Sequence, residues 1–166
     1  RSSALARIMR ETFHGSDAGG TWEWRMAYDL MQATAVQALL RGDNSEDDYY
    51  AAKLLASRLL TETRRSEQQI RLQQFSTPLP FAALTVRAAA IRKGETVLEP
   101  SAGTGAPAAF AARAGATLLL NEIDPFRQRL LRAVFGGEVT GHDGEHIDDL
   151  LQTPVLPDVV VMNPPF

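Results

Sequence analysis

Apolar residues in the first part of the chain recur at the three- and four-residue intervals of a helix. The longest stripe predicts a helix that ends near Gly42 and contains Trp22, Met26, Leu30, Ala33, Val36 and Leu40. Ser45 and Asp48 are spaced as a capping box, so a second helix is expected behind them. Its apolar face would contain Tyr50, Leu54, Leu55 and Leu59. Together with a short helix at 1–14, these patterns predict an N-terminal helical segment over residues 1–72.

After Phe75 the pattern changes to short apolar runs separated by glycine, proline and acidic residues. The runs predict strands at 95–99, 116–122, 138–140 and 158–163, and helices at 79–92, 106–114 and 124–134. Strands that alternate with helices form a parallel sheet with right-handed crossovers, so residues 73–166 are expected to be an α/β domain. Ligands of such sheets bind beyond the carboxyl ends of the strands. Those strand ends are therefore where functional residues are expected.

The composition of the 166 residues narrows the classes of function. There is no cysteine, which excludes disulfides and thiolate metal sites. No apolar run approaches the roughly 20 residues of a membrane span and no signal peptide is recognisable, so a cytoplasmic protein without a membrane partner is expected. A net charge of −3 is unusual for a protein that binds nucleic acid unaided. Four arginines at 58, 64, 65 and 71 could contact nucleic acid, but the interleaved Glu62 and Glu67 favour a solvated helix face.

At the first strand end, the sequence Val97 to Gly105 reads VLEPSAGTG. Gly103 and Gly105 would let the backbone approach a ligand closely, but the third glycine of a dinucleotide fingerprint is replaced by Ala108. Glu99 would repel a phosphate, whereas it suits a cationic or hydroxyl-bearing ligand. A plain strand-to-helix turn with a solvated acid is the alternative interpretation.

The second and third strand ends carry further acids. Glu122 follows the glycine turn by about twenty residues, the spacing at which a carboxylate accepts both hydroxyls of an adenosine ribose. Asp143, beside Gly144, could accept a hydrogen bond from the exocyclic amine of an adenine. Both could instead be exposed loop acids. A metal cluster is a further alternative that the glycine disfavours, and it would comprise His142, Asp143, Glu145 and His146.

The fourth strand end is the sequence NPPF, from Asn163 to Phe166. The two prolines restrict the backbone, so the Asn163 side chain and the Pro164 carbonyl become a rigid pair of acceptors. The nitrogen of an aromatic amine or an amide is a poor nucleophile because its lone pair is delocalised. Two acceptors that bind its hydrogens turn that lone pair toward an electrophile. Phe166 offers a face for stacking a nucleobase, a contact of about 1–3 kcal/mol.

Together these segments resemble the class I S-adenosylmethionine-dependent methyltransferases, and among them the amino-methyltransferases with an Asn/Asp-Pro-Pro-aromatic signature. VLEPSAGTG resembles their cofactor motif, NEID their ribose acid, HDGE their adenine-contacting segment and NPPF their catalytic motif. QQFSTP, residues 73–78, is similar to the motif before the first strand of N6-adenine DNA methyltransferases. The amino-acid sequence of residues 73–166 looks closest to that of bacterial strawberry-notch-like proteins, in which a methyltransferase-like domain is joined to a helicase-like region.

The resemblance implies S-adenosylmethionine as cofactor, no metal, and an α/β, Rossmann-like class I methyltransferase sheet behind the N-terminal helical segment. The implied catalytic residues are Asn163, Pro164, Pro165 and Phe166. The implied cofactor-binding residues are Ser76, Thr77, Glu99, Pro100, Ser101, Ala102, Gly103, Gly105, Glu122, Ile123, Asp143 and Gly144. The family's sheet continues beyond the catalytic motif, so the sheet is expected to be truncated after its fourth strand and the chain to be a fragment of a longer protein.

The expected function is N6-adenine methylation of nucleic acid, with DNA favoured over RNA and gripped mainly by protein outside this chain. A protein glutamine N5-methyltransferase is the first alternative, because a side-chain amide poses the same lone-pair problem. A non-catalytic cofactor-binding module attached to a helicase-like region is the second. A nicotinamide-dependent dehydrogenase fits poorly with Ala108 and with NPPF.

Overall fold

Helices form the first part of the computed structural model, which describes residues 2–42, 47–62, 76–152 and 155–164. Their bounds are α1 Ser2–Phe13, α2 Trp24–Arg41 and α3 Asp48–Arg58. Gly42 caps the end of α2, as the sequence predicts. The cap of α3 is Asp47, whose side chain accepts the backbone N–H of Tyr49 at 2.9 Å. The predicted cap Ser45 lies outside the described residues.

The inward face of α3 differs from the predicted one. Ala52 is buried and Leu55 packs against the core, whereas Tyr50 and Leu54 are 68% and 54% exposed. The predicted face is confirmed at Leu55 and at Leu59, which also packs against the core, and is wrong at Tyr50 and Leu54 because apolar residues lie on both sides of this helix. The small side chain of Ala52 lets the neighbouring helix approach closely, and this selects the buried side.

The second part of the chain alternates strands and helices. Its elements are α4 Leu79–Ala88, β1 Thr96–Glu99, α5 Ala106–Arg113, β2 Thr117–Asn121, α6 Pro125–Phe135, β3 Val139–Thr140, a 3-10 turn Gly144–His146, α7 Ile147–Leu150 and β4 Val159–Val160. The strands form one four-stranded parallel sheet in the order β3-β2-β1-β4. This confirms the predicted α/β, Rossmann-like sheet.

Two predicted elements are shorter than expected. The helix expected at 79–92 ends at Ala88, because Ala90 and Gly94 have left-handed backbones, with φ of 50° and 89°. The strand expected at 158–163 pairs with β1 only over β4. The backbone N–H of Val161 still donates to the carbonyl of Leu98 at 3.0 Å, so the chain continues alongside β1 toward Asn163.

The main core joins the N-terminal helices to the helices of the sheet. Phe110 of α5 is 1% exposed and lies in a cluster with Val36 and Leu39 of α2, Ala52 of α3 and Ala82 of α4. This packing covers one side of α5 with α2 and brings the N-terminal helices close to the carboxyl edge of the sheet.

The predicted stripe of α2 is only part of its buried face. Ala33 and Val36 are buried, as predicted, but the same helix also buries the charged side chains of Arg25 and Asp29. Hydrophobic periodicity does not reveal such positions, because they are buried through pairing with charges elsewhere in the chain.

Candidate functional site

The loop after β1 is tied to the end of β2 by two backbone donors. The N–H of Ala102 donates to the carbonyl of Asn121 at 2.9 Å, and the N–H of Gly103 donates to Oε2 of Glu122 at 2.7 Å. The glycine turn and the predicted ribose acid, which are 19 residues apart in sequence, therefore form one continuous structure.

The two glycines of this loop differ in what surrounds them. Gly103 has a φ of 57°, and a Cβ at this position would meet nothing within 4 Å, so its backbone faces open space. Gly105 has a φ of 86°, and a Cβ there would lie 2.6 Å from Cε2 of Phe135 and 2.9 Å from Cδ2 of Leu131. Gly103 is thus available to a ligand, whereas Gly105 lets α5 pack against α6.

Glu99, the last residue of β1, is 3% exposed. One interaction of its carboxylate is with the backbone N–H of Ala108, in the first turn of α5. Burial, together with the charge of Glu122, raises the pKa of Glu99 well above its usual range. Its Oε2 atom and the buried Oγ atom of Ser76 have no hydrogen-bond partner among the described residues. The interpretation of Glu99 as a solvated acid is therefore wrong.

Glu122 is also buried, at 4% exposed, so it is not a free loop acid. Besides the bond from Gly103, its Oε1 atom accepts the backbone N–H of Asp124 at 2.8 Å. Burial raises the pKa of Glu122, although hydrogen bonds from Asp124 and Gly103 and the charge of Arg127 act to lower it. The next side chain, Ile123, is 53% exposed and offers an apolar surface beside the acid.

Asn121 connects three loops, a role that the sequence did not indicate. Its Nδ2 atom donates to the carbonyls of Pro100 and His142, and its Oδ1 atom accepts from the hydroxyl of Thr140 and the N–H of His142, all within 2.7–2.9 Å. The side chain is completely buried. A polar residue at the end of an apolar strand was the available signal, since a buried amide requires partners for both its donors and its acceptor.

The loop after β3 packs on the loop after β1. A Cβ at Gly144 would lie 3.0 Å from Oγ of Ser101 and 3.1 Å from the carbonyl of Pro100, so the absence of a side chain permits this close contact. Asp143 is exposed and caps the following turn by accepting the N–H of Glu145 at 3.1 Å. Within residues 2–42, 47–62, 76–152 and 155–164, no group of three or more histidines and acids is arranged to hold a metal ion.

The structure brings together the two motifs that lie farthest apart in the predicted domain. Nδ2 of Asn163 donates to Oγ1 of Thr77 at 3.0 Å, across 86 residues of sequence. Asn163 and Pro164 are exposed and follow β4 by three and four residues, and β4 pairs with β1 up to Leu98, the residue before Glu99. Pro165 and Phe166 lie outside the described residues.

A network of buried charges lies behind the β2 loop and was also missed from the sequence. Nη1 of Arg25 is 2.7 Å from Oδ2 of Asp124, and Nη2 of Arg127 is 2.9 Å from Oδ1 of Asp29. Burial acts to raise the pKa of Asp124, but hydrogen bonds from Arg127 and Arg25 outweigh it and lower that pKa. All four side chains are buried. Their ion pairs join α2 to the start of α6, close to Glu122.

The residues at this edge fit a cofactor with a charged amino-acid end, a ribose and an adenine. Unpartnered atoms of Ser76 and Glu99 provide polar sites, and Gly103 leaves room for close approach. Ile123 and Asp143 are exposed on the neighbouring loops. They offer an apolar surface and a hydrogen-bond acceptor, the two kinds of contact that an adenine needs.

Comparisons with known proteins support the fold. No protein-family model and no curated protein matches the chain. A crystal structure of a proposed RNA methyltransferase from Pyrococcus horikoshii is similar, with a TM-score of 0.54 and 23% sequence identity. The similarity covers 73% of this chain and 61% of that one, so the chain spans less than two thirds of that protein. In the part that the structure describes, no helix is long and apolar enough to cross a membrane. The chain therefore shares the α/β fold of that protein, with a four-stranded parallel sheet.

Proposed function

We propose that this protein is an S-adenosylmethionine-dependent methyltransferase that acts on the exocyclic N6 amine of adenine in nucleic acid. The observation that carries the proposal is the 3.0 Å hydrogen bond between Asn163 and Thr77. These residues belong to the two motifs that resemble N6-adenine methyltransferases, and their contact supports a shared site beyond the carboxyl ends of the paired strands β1 and β4.

The cofactor would be held by the loops that follow the first three strands. Glu99 and Ser76 would bind its amino-acid end, since each has a buried oxygen without a partner among the described residues. Glu122 would accept ribose hydroxyls, while Ile123 and Asp143 would contact the adenine. When bound, this cofactor supplies a methyl group on a positively charged sulfur. The remaining chemistry is positioning by the chain.

Asn163 and Pro164 would position the amine that is methylated. Because Nδ2 of Asn163 donates to Thr77, its Oδ1 atom remains as an acceptor for one amine hydrogen. The carbonyl of Pro164 would accept the other hydrogen, which directs the nitrogen lone pair toward the methyl group. A base swung out of its stack could lie on Phe166. Pro165, between these residues, would keep the motif rigid.

The nucleic acid would be bound mainly by protein outside this chain, because the chain itself carries a net charge of −3. The segment containing Ser76 and Thr77 favours DNA, and the similarity to a proposed RNA methyltransferase makes RNA the second candidate. The resemblance to strawberry-notch-like proteins supports a helicase-like region in the same polypeptide.

The proposal is tested by offering DNA, RNA and protein in parallel to the full-length polypeptide with isotopically labelled S-adenosylmethionine. Mass spectrometry of nucleosides and amino acids would locate the methyl group. We expect N6-methyladenine, and we expect Asn163→Ala to reduce its formation by about 10²–10³-fold, as is typical when a positioned hydrogen-bonding group is removed. Cofactor binding by Asn163→Ala should remain close to that of the wild type.

Two further variants separate the role of Thr77 from a general effect of removing a hydroxyl. Thr77→Val should reduce methyl transfer by orienting Asn163 less well. Thr85→Val is its matched control, because that exposed hydroxyl donates to the carbonyl of Phe81 within its own helix. Methylglutamine in place of methyladenine would identify a protein substrate. Cofactor binding without transfer to any substrate would instead indicate a non-catalytic module.

A further inference from the structure

We infer that α2 is a positioning element of the cofactor site, and that Arg25 and Asp29 act through the β2 loop to hold Glu122 and Gly103 in their binding geometry. The inference rests on the proposed function in one respect only, namely that the cofactor binds at this loop. It assigns a role in ligand binding to a helix that belongs to none of the segments resembling methyltransferases.

The contact between α2 and the loop after β2, residues 122–124, is made by buried, paired charges, although Nε of Arg25 has no hydrogen-bond partner among the described residues. Asp29 accepts from Nη2 of Arg127 at 2.9 Å and from Nε of the same residue at 3.2 Å. Arg25 donates to Asp124 at 2.7 Å and lies 3.8 Å from Asp29. A forked pairing of this kind restricts orientation as well as distance, because both partners are planar.

The same residues continue directly into the cofactor loop. Oδ1 of Asp124 accepts the backbone N–H of Arg127 at 3.0 Å, so Asp124 caps the start of α6. The N–H of Asp124 donates to Glu122, whose second oxygen accepts the N–H of Gly103. A chain of hydrogen bonds therefore runs from Arg25 on α2 to the glycine that faces open space.

A second contact from α2 reaches the same loop independently. Oγ1 of Thr104 donates to Oε1 of Gln32 at 3.0 Å, and Thr104 follows Gly103 in the chain. Two residues of α2 therefore hold the loop that contains Gly103. Arg25 acts through Asp124 and Glu122, and Gln32, two turns further along the helix, contacts Thr104 directly.

The opposite end of α2 is anchored by another buried arginine, far from these loops. Nη1 of Arg113 donates to the carbonyls of Leu39 and Gly42, and its Nε atom donates to Asp48 at 2.7 Å. The side chains of Arg113 and Arg25 are similarly buried, at 6% and 9% exposed. Arg113 therefore provides a matched comparison, since its bonds to Leu39, Gly42 and Asp48 secure the opposite end of the same helix.

Stability alone does not account for the Arg25 network. Replacing buried ion pairs with apolar residues of similar volume is often neutral or stabilising, so a buried network is weak evidence of a stabilising role. Its directional bonds, in contrast, favour one geometry of the loop over others. This geometry is what a ligand-binding loop requires.

The test compares Arg25→Gln and Asp29→Asn with Arg113→Gln in the full chain. Two quantities are measured: the affinity for S-adenosylhomocysteine by titration calorimetry, and the hydrogen-exchange rates of the Gly103 and Asp124 amides without ligand. We expect Arg25→Gln to weaken binding about tenfold and to accelerate exchange at both amides. Arg113→Gln should lower the melting temperature while leaving both measurements unchanged. Arg25→Gln keeps the Asp29–Arg127 pair, so it remains informative if Asp29→Asn does not fold.

The inference is overturned if Arg25→Gln and Arg113→Gln change affinity and exchange to the same extent, or if Arg25→Gln changes neither. Failure of the proposed function has a different signature. The wild-type protein would then bind no S-adenosylhomocysteine, and the exchange rates at Gly103 and Asp124 would alone decide whether α2 positions the loop.

Discussion

The carboxylate of Glu99 lowers the stability of the protein without ligand but is suited to binding a cationic ligand. Its carboxylate is buried, which raises its pKa, and one of its oxygens has no partner in the described part of the chain. Such a group reduces folding stability when it is charged, because its desolvation is not compensated. The same charge is useful once a cation lies beside it. Sites that bind ligands are often less stable than the rest of the structure for this reason.

Replacing Glu99 with Gln should therefore increase stability and weaken cofactor binding. The folded protein binds the Glu99 proton more tightly than the unfolded chain. The contribution of Glu99 to the stability of the wild type therefore falls as the pH rises above 4.5, the ordinary pKa of a glutamate. The neutral amide removes this dependence. The difference in melting temperature between Glu99→Gln and wild type should grow from pH 5 to pH 8, by about 2–4 °C for each kcal/mol.

Calorimetric titration with S-adenosylhomocysteine measures the second effect. Loss of the charged partner should reduce affinity by about tenfold or more, since hydrogen bonds to charged groups are worth about 1.5–3 kcal/mol. Glu145→Gln is the control, because Glu145 is exposed. A melting temperature of Glu99→Gln below that of the wild type at every pH would contradict the expected gain in stability.

At the scale of elements, the start of α5 depends on a residue without a side chain. Gly105 combines a left-handed backbone with a tight contact to Phe135 and Leu131 of α6. Gly94 has a similar φ, 89° against 86°, but a Cβ there would meet nothing within 4 Å. The two positions separate the cost of backbone strain from the cost of a steric clash.

Gly94→Ala should destabilise the protein by about 1–2 kcal/mol through strain alone. Gly105→Ala should cost about 1–3 kcal/mol more, because the added methyl group must displace packed side chains. Urea unfolding of both variants measures the difference. Equal losses would mean that α6 moves away from α5 at little cost, and that the contact with Phe135 does not determine how these helices pack.

At the scale of the whole molecule, the N-terminal helices and the sheet share one core. Both tryptophans, Trp22 and Trp24, lie in the N-terminal part, whereas Phe110 belongs to the first helix after β1. Val36 and Leu39 of α2 pack in the cluster of Phe110. Unfolding of either part would expose apolar surface of the other, so the two parts should lose their structure together.

Tryptophan fluorescence and far-ultraviolet circular dichroism should therefore give the same unfolding midpoint. Phe110→Ala should shift both midpoints equally, with a loss of about 3–5 kcal/mol. Phe81→Ala is the control, because Phe81 is 64% exposed and should change stability by less than about 0.5 kcal/mol. Two separate transitions would show that the helices before residue 72 unfold independently of the sheet.

The sequence alone determined the features that depend on near neighbours. Apolar periodicity predicted α2, and short apolar runs between glycine, proline and acidic residues predicted the four strands, because the spacing of side chains on a helix or strand is a local property. The order of the motifs predicted the methyltransferase-type fold. The roles that those motifs imply for Glu122, Asp143 and Asn163 stay predictions, since they concern a ligand and a substrate.

Only the tertiary structure decided which buried polar groups meet. Asn121 bonds to loops 21 residues away on both sides, Asp29 pairs with Arg127 across 98 residues, and Asn163 reaches Thr77 across 86. The apolar pattern around Arg25 and Asp29 does not mark them as buried, because their burial is favourable only with partners from distant segments. Long-range pairing depends on how the helices pack against the sheet, and this packing is a property of the whole chain.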